Sequence, residues 1–412
     1  MPVRQSWLLF GINLGKTTLF CAGEKLVYPE KEGKGAQVMG LEEEKIVRAA
    51  FRTIKGVGSQ RLRLLIACFG SAVKAWEASA SQYWPWENQE PWIREVEKAR
   101  HFIEPKRIGD ILNQQGFRMI IPEERDYPAL LAELSAAPPL LYYQGQLRRD
   151  AEGLGIVGSR KATAYGKAVA KMLARDASEK GAVIISGLAR GIDTAAHQGA
   201  LEAGGITWAV LGCGLDMVYP KENKGLAEEI VKTGALITEY PPGSPPQAAH
   251  FPARNRLISG CSRGIVVVEA AERSGALITV DFALEQGREV FAVPGPIFSE
   301  ASRGTHQLLR QGAKLVAGIE DICSELPVWT QYKGRLSQFR PAVHARTKEC
   351  GDSKGEHESI LGQLSDIPMH IDQIIMNSNK SSADISLALL ELQLSGKVLQ
   401  LPGQHYVLAR EP

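Results

Sequence analysis

The stretch that decides the fold runs from Gly153 to Asp193: GLGIVGSRKATAYGKAVAKMLARDASEKGAVIISGLARGID. Its first apolar run, Leu154–Gly158, is strand-sized, and Ala164 to Lys180 carries apolar residues at helical spacing until Gly181 stops it. A second apolar run, Ala182–Ser186, follows, and a new helical pattern starts around Asp193. A strand, a crossover helix and a strand make the unit that lays two strands side by side in parallel. Outward from it the alternation continues through Ile206–Leu211, Ala235–Thr238, Ile265–Glu269 and Glu289–Val293. This predicts an α/β fold: a mostly parallel, Rossmann-like sheet with helices on both faces. Upstream, Tyr127-Pro128 and Pro138-Pro139-Leu-Leu-Tyr-Tyr read as a lead-in that adds edge strands.

A chain of 412 residues exceeds one core of ordinary size, so several domains are expected. Residues 1–40 match nothing that follows and read as a poorly ordered extension, with Met39 as an alternative start. Gly11-Ile-Asn-Leu-Gly15-Lys16-Thr17 resembles a phosphate loop but has three residues between its glycines where the pattern needs four. Residues 41–104 read as small helices. There, Ile54-Lys-Gly56-Val57-Gly58 before Arg61, Leu62, Leu65, Ile66 and Phe69 fits a helix-hairpin-helix or SAM-like module. A structural bundle joined by a glycine turn fits equally well. The tryptophans at 76, 84, 86 and 92 are expected in a core or interface rather than as base-stacking platforms. The α/β domain spans 105–326. Residues 327–356 lose the period, gain Lys333, Arg335, Arg340, Arg346, Lys348 and Lys354, and read as a linker. Residues 357–412 resume a helical period and end in Val398–Leu401 and Tyr406–Leu408 around Pro402-Gly403, the pattern of a winged helix.

The 44% hydrophobic and 23% charged fractions are those of a soluble globular protein. No apolar run approaches the ~20 residues of a membrane helix, and the N-terminal stretch lacks a secretory pattern. Six scattered cysteines without a CxxC pair point to reduced thiols in a cytoplasmic setting rather than to zinc. No metal, cofactor or membrane partner is expected. The net charge of +2 neither demands nor excludes a polyanion, so the placement of the basic groups must decide.

In an open α/β sheet, ligands sit beyond the carboxyl ends of the strands, where helix N-termini present unpaired N–H groups. Four such turns carry small or glycine-rich sequence. They are Gly158-Ser159-Arg160-Lys161, Ser186-Gly187-Leu-Ala-Arg190-Gly191, Gly212-Cys213-Gly214 with Lys221 beyond, and Ser274-Gly275. Glycines admit close backbone approach to phosphate, hydroxyls donate to it, and arginine chelates it. Phe251-Pro252-Ala-Arg254-Asn255-Arg256 adds a stacking face, cations and an amide suited to a nucleotide. The bland alternative packs Phe251 in the core and pairs Arg254 with Glu239 or Glu269. Gly153, Gly155 and Gly158 match the dinucleotide fingerprint by spacing but lie within the strand, so NAD is not expected. No catalytic set stands out: Asp193 reads as a helix cap and His197 as a core residue.

These motifs, with Tyr219-Pro-Lys221, Ser274-Gly-Ala-Leu-Ile-Thr279, Phe291-Ala-Val-Pro294-Gly295 and Gly312-Ala-Lys in one order, closely resemble the bacterial DNA-processing protein A (DprA/Smf) family. The resemblance covers about residues 50–320 well and the C-terminal region loosely. It implies a non-catalytic protein whose Rossmann-like domain binds single-stranded DNA and forms a homodimer. It further implies protection of incoming DNA and help in loading the RecA recombinase during natural transformation. Carried over, Arg160 and Lys221 would contact phosphates, and Ser159, Gly187, Arg190, Gly191, Phe251, Arg254, Asn255 and Ser274 would line the pocket. Two positions depart from the pattern: Ala248 stands where some members carry Lys, and His306 replaces the Asn of a Gly-Thr-Asn triplet.

The C-terminal region carries Glu356, Glu358, Asp366, Asp372, Asp384, Glu391 and Glu411 against Lys380, Lys397 and Arg410. Its presumed recognition helix, Ser382–Ser395, has no basic residue, so it is expected to meet protein rather than duplex DNA. Two other functions remain open: a structural scaffold for recombination proteins, and a Rossmann-like nucleotide phosphoribohydrolase. The latter group carries PGGxGTxxE where this chain has Ser274–Thr279, without the glycine pair or the Glu.

Overall fold

The structure, a computed structural model, describes residues 34–79, 82–83, 91–329, 360–365, 368–378, 381–401 and 403–409. Four helices open it: α1 (Lys34–Thr53), α2 (Ser59–Phe69), α3 (Ala72–Glu77) and α4 (Pro91–Arg100). They close over Phe51, Leu62, Leu65, Tyr83, Trp92 and Val96. Helix α1 begins at Lys34, inside the stretch expected to be an extension, and runs through position 39. Residues 1–33, with Gly11–Thr17, and Trp84 and Trp86 lie outside the described residues. Trp76 meets Phe51 edge-on at 4.8 Å, and Trp92 is buried, as a core role requires.

The remaining elements are α5 (Pro105–Gln114), β1 (Arg118–Ile120), α6 (Ala129–Ala132), β2 (Leu141–Gly145), β3 (Gly153–Val157), α7 (Ala164–Glu179), β4 (Val183–Ser186), α8 (Ile192–Glu202) and β5 (Thr207–Val210). After them come α9 (Lys224–Thr233), β6 (Ala235–Thr238), α10 (His250–Gly260), β7 (Gly264–Val267), α11 (Ala276–Glu285), β8 (Glu289–Ala292), α12 (Arg303–Arg310), β9 (Lys314–Leu315) and α13 (Ile319–Glu325). The strands form one nine-stranded sheet in the order β1-β2-β6-β5-β4-β3-β7-β8-β9. Seven of them, β6 through β9 in that order, run parallel, and β1 and β2 extend the sheet antiparallel. Of the expected lead-in, the Leu-Leu-Tyr-Tyr run supplies one strand, β2, next to the edge, whereas the edge strand β1 comes from upstream of it and Tyr127-Pro128 forms no strand.

Alternation along each strand explains the two layers of helix. Val157, Val183, Ile185, Ile265 and Val267 face α10 and α11, with Leu257, Ile258, Val280 and Ala283. Leu154, Ile156, Ile184 and Val266 face α7, α8 and α13, with Leu173, Ala174, Ala196 and Ile322. Burying each large aliphatic side chain in these layers stabilises the fold by about 1.5–3 kcal/mol. A third core joins Ala49 of α1 and Leu112 of α5 to Tyr142, Leu211 and Leu236. The helical region and the sheet therefore share a core, with no clean boundary at residue 104. Trp329 is buried against α13, so the chain stays attached to the sheet through the first three residues of the expected linker; residues 330–359 lie outside the described residues.

The C-terminal unit holds β10 (Met369–His370), α14 (Ile371–Met376), α15 (Ser382–Leu394), β11 (Val398–Leu401) and β12 (His405–Leu408). Its three-stranded sheet, ordered β10-β12-β11, is the wing of a winged helix. Ile374, Ile385, Leu389, Leu392 and Val398 form its core.

Candidate nucleic-acid interface

The chain crosses from β3 through β4 and β5 to β6, then returns to place β7 on the other side of β3. The reversal opens a crevice at the carboxyl ends of β3 and β7, the usual ligand position in such sheets. A cavity of about 660 Å³ lies there, lined by Gly158, Ser159, Arg160, Phe251, Arg254, Asn255, Ser274 and Gly275. Eight of the residues singled out from sequence therefore converge. Lys161, Tyr219, Ala248 and Thr279 line it too. Lys161, Tyr219 and Thr279 stood in the quoted motifs and Ala248 was noted as a departure, but none of the four was singled out as a contact.

Arg160 and Lys161 are exposed on the loop after β3. The Arg160 guanidinium lies over the Phe251 ring, 5.0 Å from its centroid, and Tyr219 tilts against the same ring at 5.6 Å. This is a cation beside two aromatic faces, the composition that holds a stacked base next to its phosphate. Phe251 is not packed in the core. Gly212 lies beneath its ring, with room for no more than the ring edge.

Arg254 forms the floor. It is 3% exposed and donates to the Val210 carbonyl at 2.6 Å, while its Nε has no hydrogen-bond partner. Glu239 pairs with Arg256 and Glu269 binds Thr163, so the alternative in which either holds Arg254 in a salt bridge is not met. Burial pushes its guanidinium down to about 10, which leaves it charged at neutral pH, and Arg160 repels it further. An anion seated between the two guanidiniums would relieve that repulsion. Asp193 faces Arg254 and caps its own loop, accepting from the backbone N–H of Gly187 at 3.1 Å and of Ala189 at 3.3 Å. Burial raises its carboxyl above the ordinary range, opposed by Arg254. The helix-capping role expected of Asp193 is not observed: its carboxylate serves the loop before α8, whose N-cap residue is Gly191 and carries no side-chain cap. His197 is a core residue, fully buried against the Thr207 hydroxyl at 2.7 Å and depressed by burial to about 3.

Several singled-out residues sit elsewhere. Ser186 is fully buried and spends its hydroxyl on the Ile156 carbonyl at 2.6 Å, so it is a strand residue and not a ligand contact. Arg256 points away from the crevice, bound to Glu239 and to the Ala136 carbonyl at 2.9 Å. Gly187, Gly191 and Gly214 support the rim from beneath. A Cβ at 187 would strike the Arg254 guanidinium, and Gly191, at φ +79°, lets the β4 loop press on the Ser159 carbonyl. Arg190 is exposed but paired with Glu222. Lys221 is exposed on a short 3-10 turn beside Tyr219, outside the cavity lining.

Two further positions explain the rim. Glu269 puts its carboxylate at the start of α7, accepting from the Thr163 N–H at 2.9 Å and from the Thr163 hydroxyl. That is where a dinucleotide's pyrophosphate would sit, and the glycines 153 and 155 lie inside β3 as expected. His306 donates through Nε2 to the Gly295 carbonyl at 2.9 Å, which anchors α12 to the loop after β8. The hairpin at 54–58 does not project: Arg52 donates to the carbonyls of Val57 and Glu239, and Ser59 donates to the Glu239 carboxylate. The bundle reading, with a glycine turn, fits these contacts. Among the described residues, no group of three His, Cys, Asp or Glu side chains could hold a metal, and no helix is long and apolar enough to cross a membrane.

Comparison with known proteins follows the same outline. The family model for DNA recombination-mediator protein A matches residues 118–327, and that for the DprA winged helix domain matches residues 346–404. The chain is 34% identical over 385 residues to protein Smf of Synechocystis sp., covering 87% of this chain and 97% of the relative. It is 48% identical over 201 residues to DNA processing protein DprA of Streptococcus pneumoniae, covering 48% of this chain and 71% of the relative. The X-ray structure of the pneumococcal protein superimposes with a TM-score of 0.60 at 36% identity, over 69% of this chain and 97% of that one. A sheet with a crevice at its switch point, a winged helix later in the chain and a relative matched nearly end to end agree: this chain belongs to the DNA recombination-mediator protein A (DprA/Smf) family.

Proposed function

We propose that the crevice holds single-stranded DNA by its backbone and stacks its bases, and that the protein does so without catalysis. The observation that carries this reading is the Arg160 guanidinium lying over Phe251 with Tyr219 alongside, above a buried charged Arg254. Duplex DNA keeps its bases stacked on each other, so an accessible aromatic pair, Tyr219 exposed and Phe251 half-buried, favours an unpaired strand. Among the described residues lining the cavity the one acid is Asp193, whose carboxylate is already committed to backbone amides. In the recombination-mediator role of the family, such a protein shields incoming DNA and helps load the RecA recombinase, acting as a homodimer in the cytoplasm. Cys213, Cys261 and Cys323 are buried free thiols, which suits a reducing compartment.

The test is a salt titration of oligo-dT binding by wild type and the Arg160→Ala/Lys221→Ala double variant. Each lost phosphate contact lowers the slope of log K against log salt by about 0.7 for a single strand. The double variant should bind all sequences more weakly with a flatter slope, and an unchanged slope removes both residues from the phosphate path. Release of free adenine from AMP would overturn the non-catalytic reading.

A further inference from the structure

The loop that follows β8, Val293–Ser302, has no role in the crevice described above, yet it leaves the sheet at the same rim. β7 and β8 run parallel, with Val267 opposite Ala292. The loop is tied to the turn that follows β7 and leads to Ser274: Ala270 N–H donates to the Ala301 carbonyl at 2.8 Å, and Gly304 N–H donates to the Ala270 carbonyl at 2.8 Å. Tyr165, in the first turn of α7, donates through its hydroxyl to the Pro294 carbonyl at 3.1 Å and is itself 49% exposed. On this anchored loop Ile297 is 77% and Phe298 93% exposed. An apolar pair so fully open to water, on backbone held this firmly, is built to meet something.

We infer that this loop is a second base-stacking platform, centred on Phe298, for single-stranded DNA leaving the crevice on the β8 side. The inference rests on the crevice being a single-strand site. Neighbouring strands lie about 4.8 Å apart, so a DNA strand passing Ser274 reaches the end of β8 within a few nucleotides. An unpaired base offers an apolar face of any sequence, which is what an exposed phenyl ring takes. On the two turns that meet here, Arg273 and Arg303 are matched by Glu272 and Glu300. The local charge is thus balanced, and the platform acts by stacking rather than by neutralising phosphate. That separates it from Arg160 and Lys221 in what a salt titration reads.

The experiment compares wild type, Phe298→Ala, Phe298→Trp and Arg160→Ala/Lys221→Ala, by fluorescence anisotropy, on oligo-dT of about 4 to 20 nucleotides, the range of single-strand site sizes. Phe298→Ala should weaken binding by an amount that grows with length, reaching about fivefold or more, the effect of one base–aromatic stack. The salt slope should stay that of wild type, and Phe298→Trp should restore the affinity. If the alanine variant matches wild type at every length while the double variant is weakened, the platform is overturned and the crevice stands. If neither variant differs from wild type, the crevice reading fails and the platform fails with it. Equal affinity combined with lost self-association in sedimentation would also overturn it, assigning Phe298 to a contact between copies of the chain.

Discussion

Phe251, Arg254, Asn255 and Ile258 line the crevice while Arg256 does not, although sequence put the Phe-Pro-x-Arg-Asn-Arg run there as one block. A helix turns about 100° per residue, so positions 251, 254, 255 and 258 share a face and 256 falls on another. The chemistry of each side chain was legible; its direction within α10 was not, because that depends on where the helix begins. Ser186 fails for a related reason: the last residue of a buried strand finishes the ladder before the loop starts. Arg190 shows the converse. It is exposed at the rim, but Glu222 holds it, raising the guanidinium and lowering the carboxyl through their mutual hydrogen bond. Glu222 thus competes with a phosphate for the same cation. Glu222→Gln should raise oligo-dT affinity a few-fold at low salt and steepen the salt slope by about 0.7; unchanged binding would place Arg190 off the DNA path.

At the scale of elements, the six strands expected from the alternating pattern are all present, and each differs by at most a residue or two at its ends. Strands β1 and β9 were missed because both are very short and lie at the sheet edges, where burial imposes little pattern. How closely the rim loops pack was not legible either, since sequence shows that a glycine is present but not what it adjoins. Gly187 is the sharpest case. Gly187→Ala drives a methyl into the Arg254 guanidinium, which is pinned by the Val210 carbonyl and cannot retreat. Overpacking of this kind costs about 1–3 kcal/mol. The variant should melt earlier and bind oligo-dT more weakly; a protein equal to wild type in both would show that Arg254 has room to move. Helix α10 also carries Arg256, whose partner Glu239 accepts from Ser59 at the start of α2. Glu239→Ala leaves that largely buried arginine uncompensated, a loss of about 3 kcal/mol, read as a lower urea midpoint. Adding Arg256→Met should recover most of it, and failure to recover would mean the pair is not the unit that matters.

Across the whole molecule, one sheet joins the helical region to the crevice, while the winged helix forms a core of its own. Its longest helix, α15, exposes Leu387 and Leu390, at 58% and 51%, together with Asp384 and Glu391, and offers no cation to a phosphate. Removing residues 357–412 should therefore leave oligo-dT affinity within a few-fold of wild type. A collapse in affinity, with the remaining protein still folded by circular dichroism, would make the winged helix part of the DNA-binding surface. The class of this unit could be read from its terminal hairpin, and its acidic balance from composition alone.

The carboxylate of Glu269 has one more implication. Coenzymes such as NAD or ATP are gripped chiefly through one concentrated diphosphate at a helix start, and here that berth is permanently occupied by the protein's own anion. A polymer spreads its charge over many small holds and loses little when one is blocked. Millimolar NAD or ATP should therefore fail to displace a bound oligonucleotide, so that cellular pools of free coenzyme leave the crevice open to DNA.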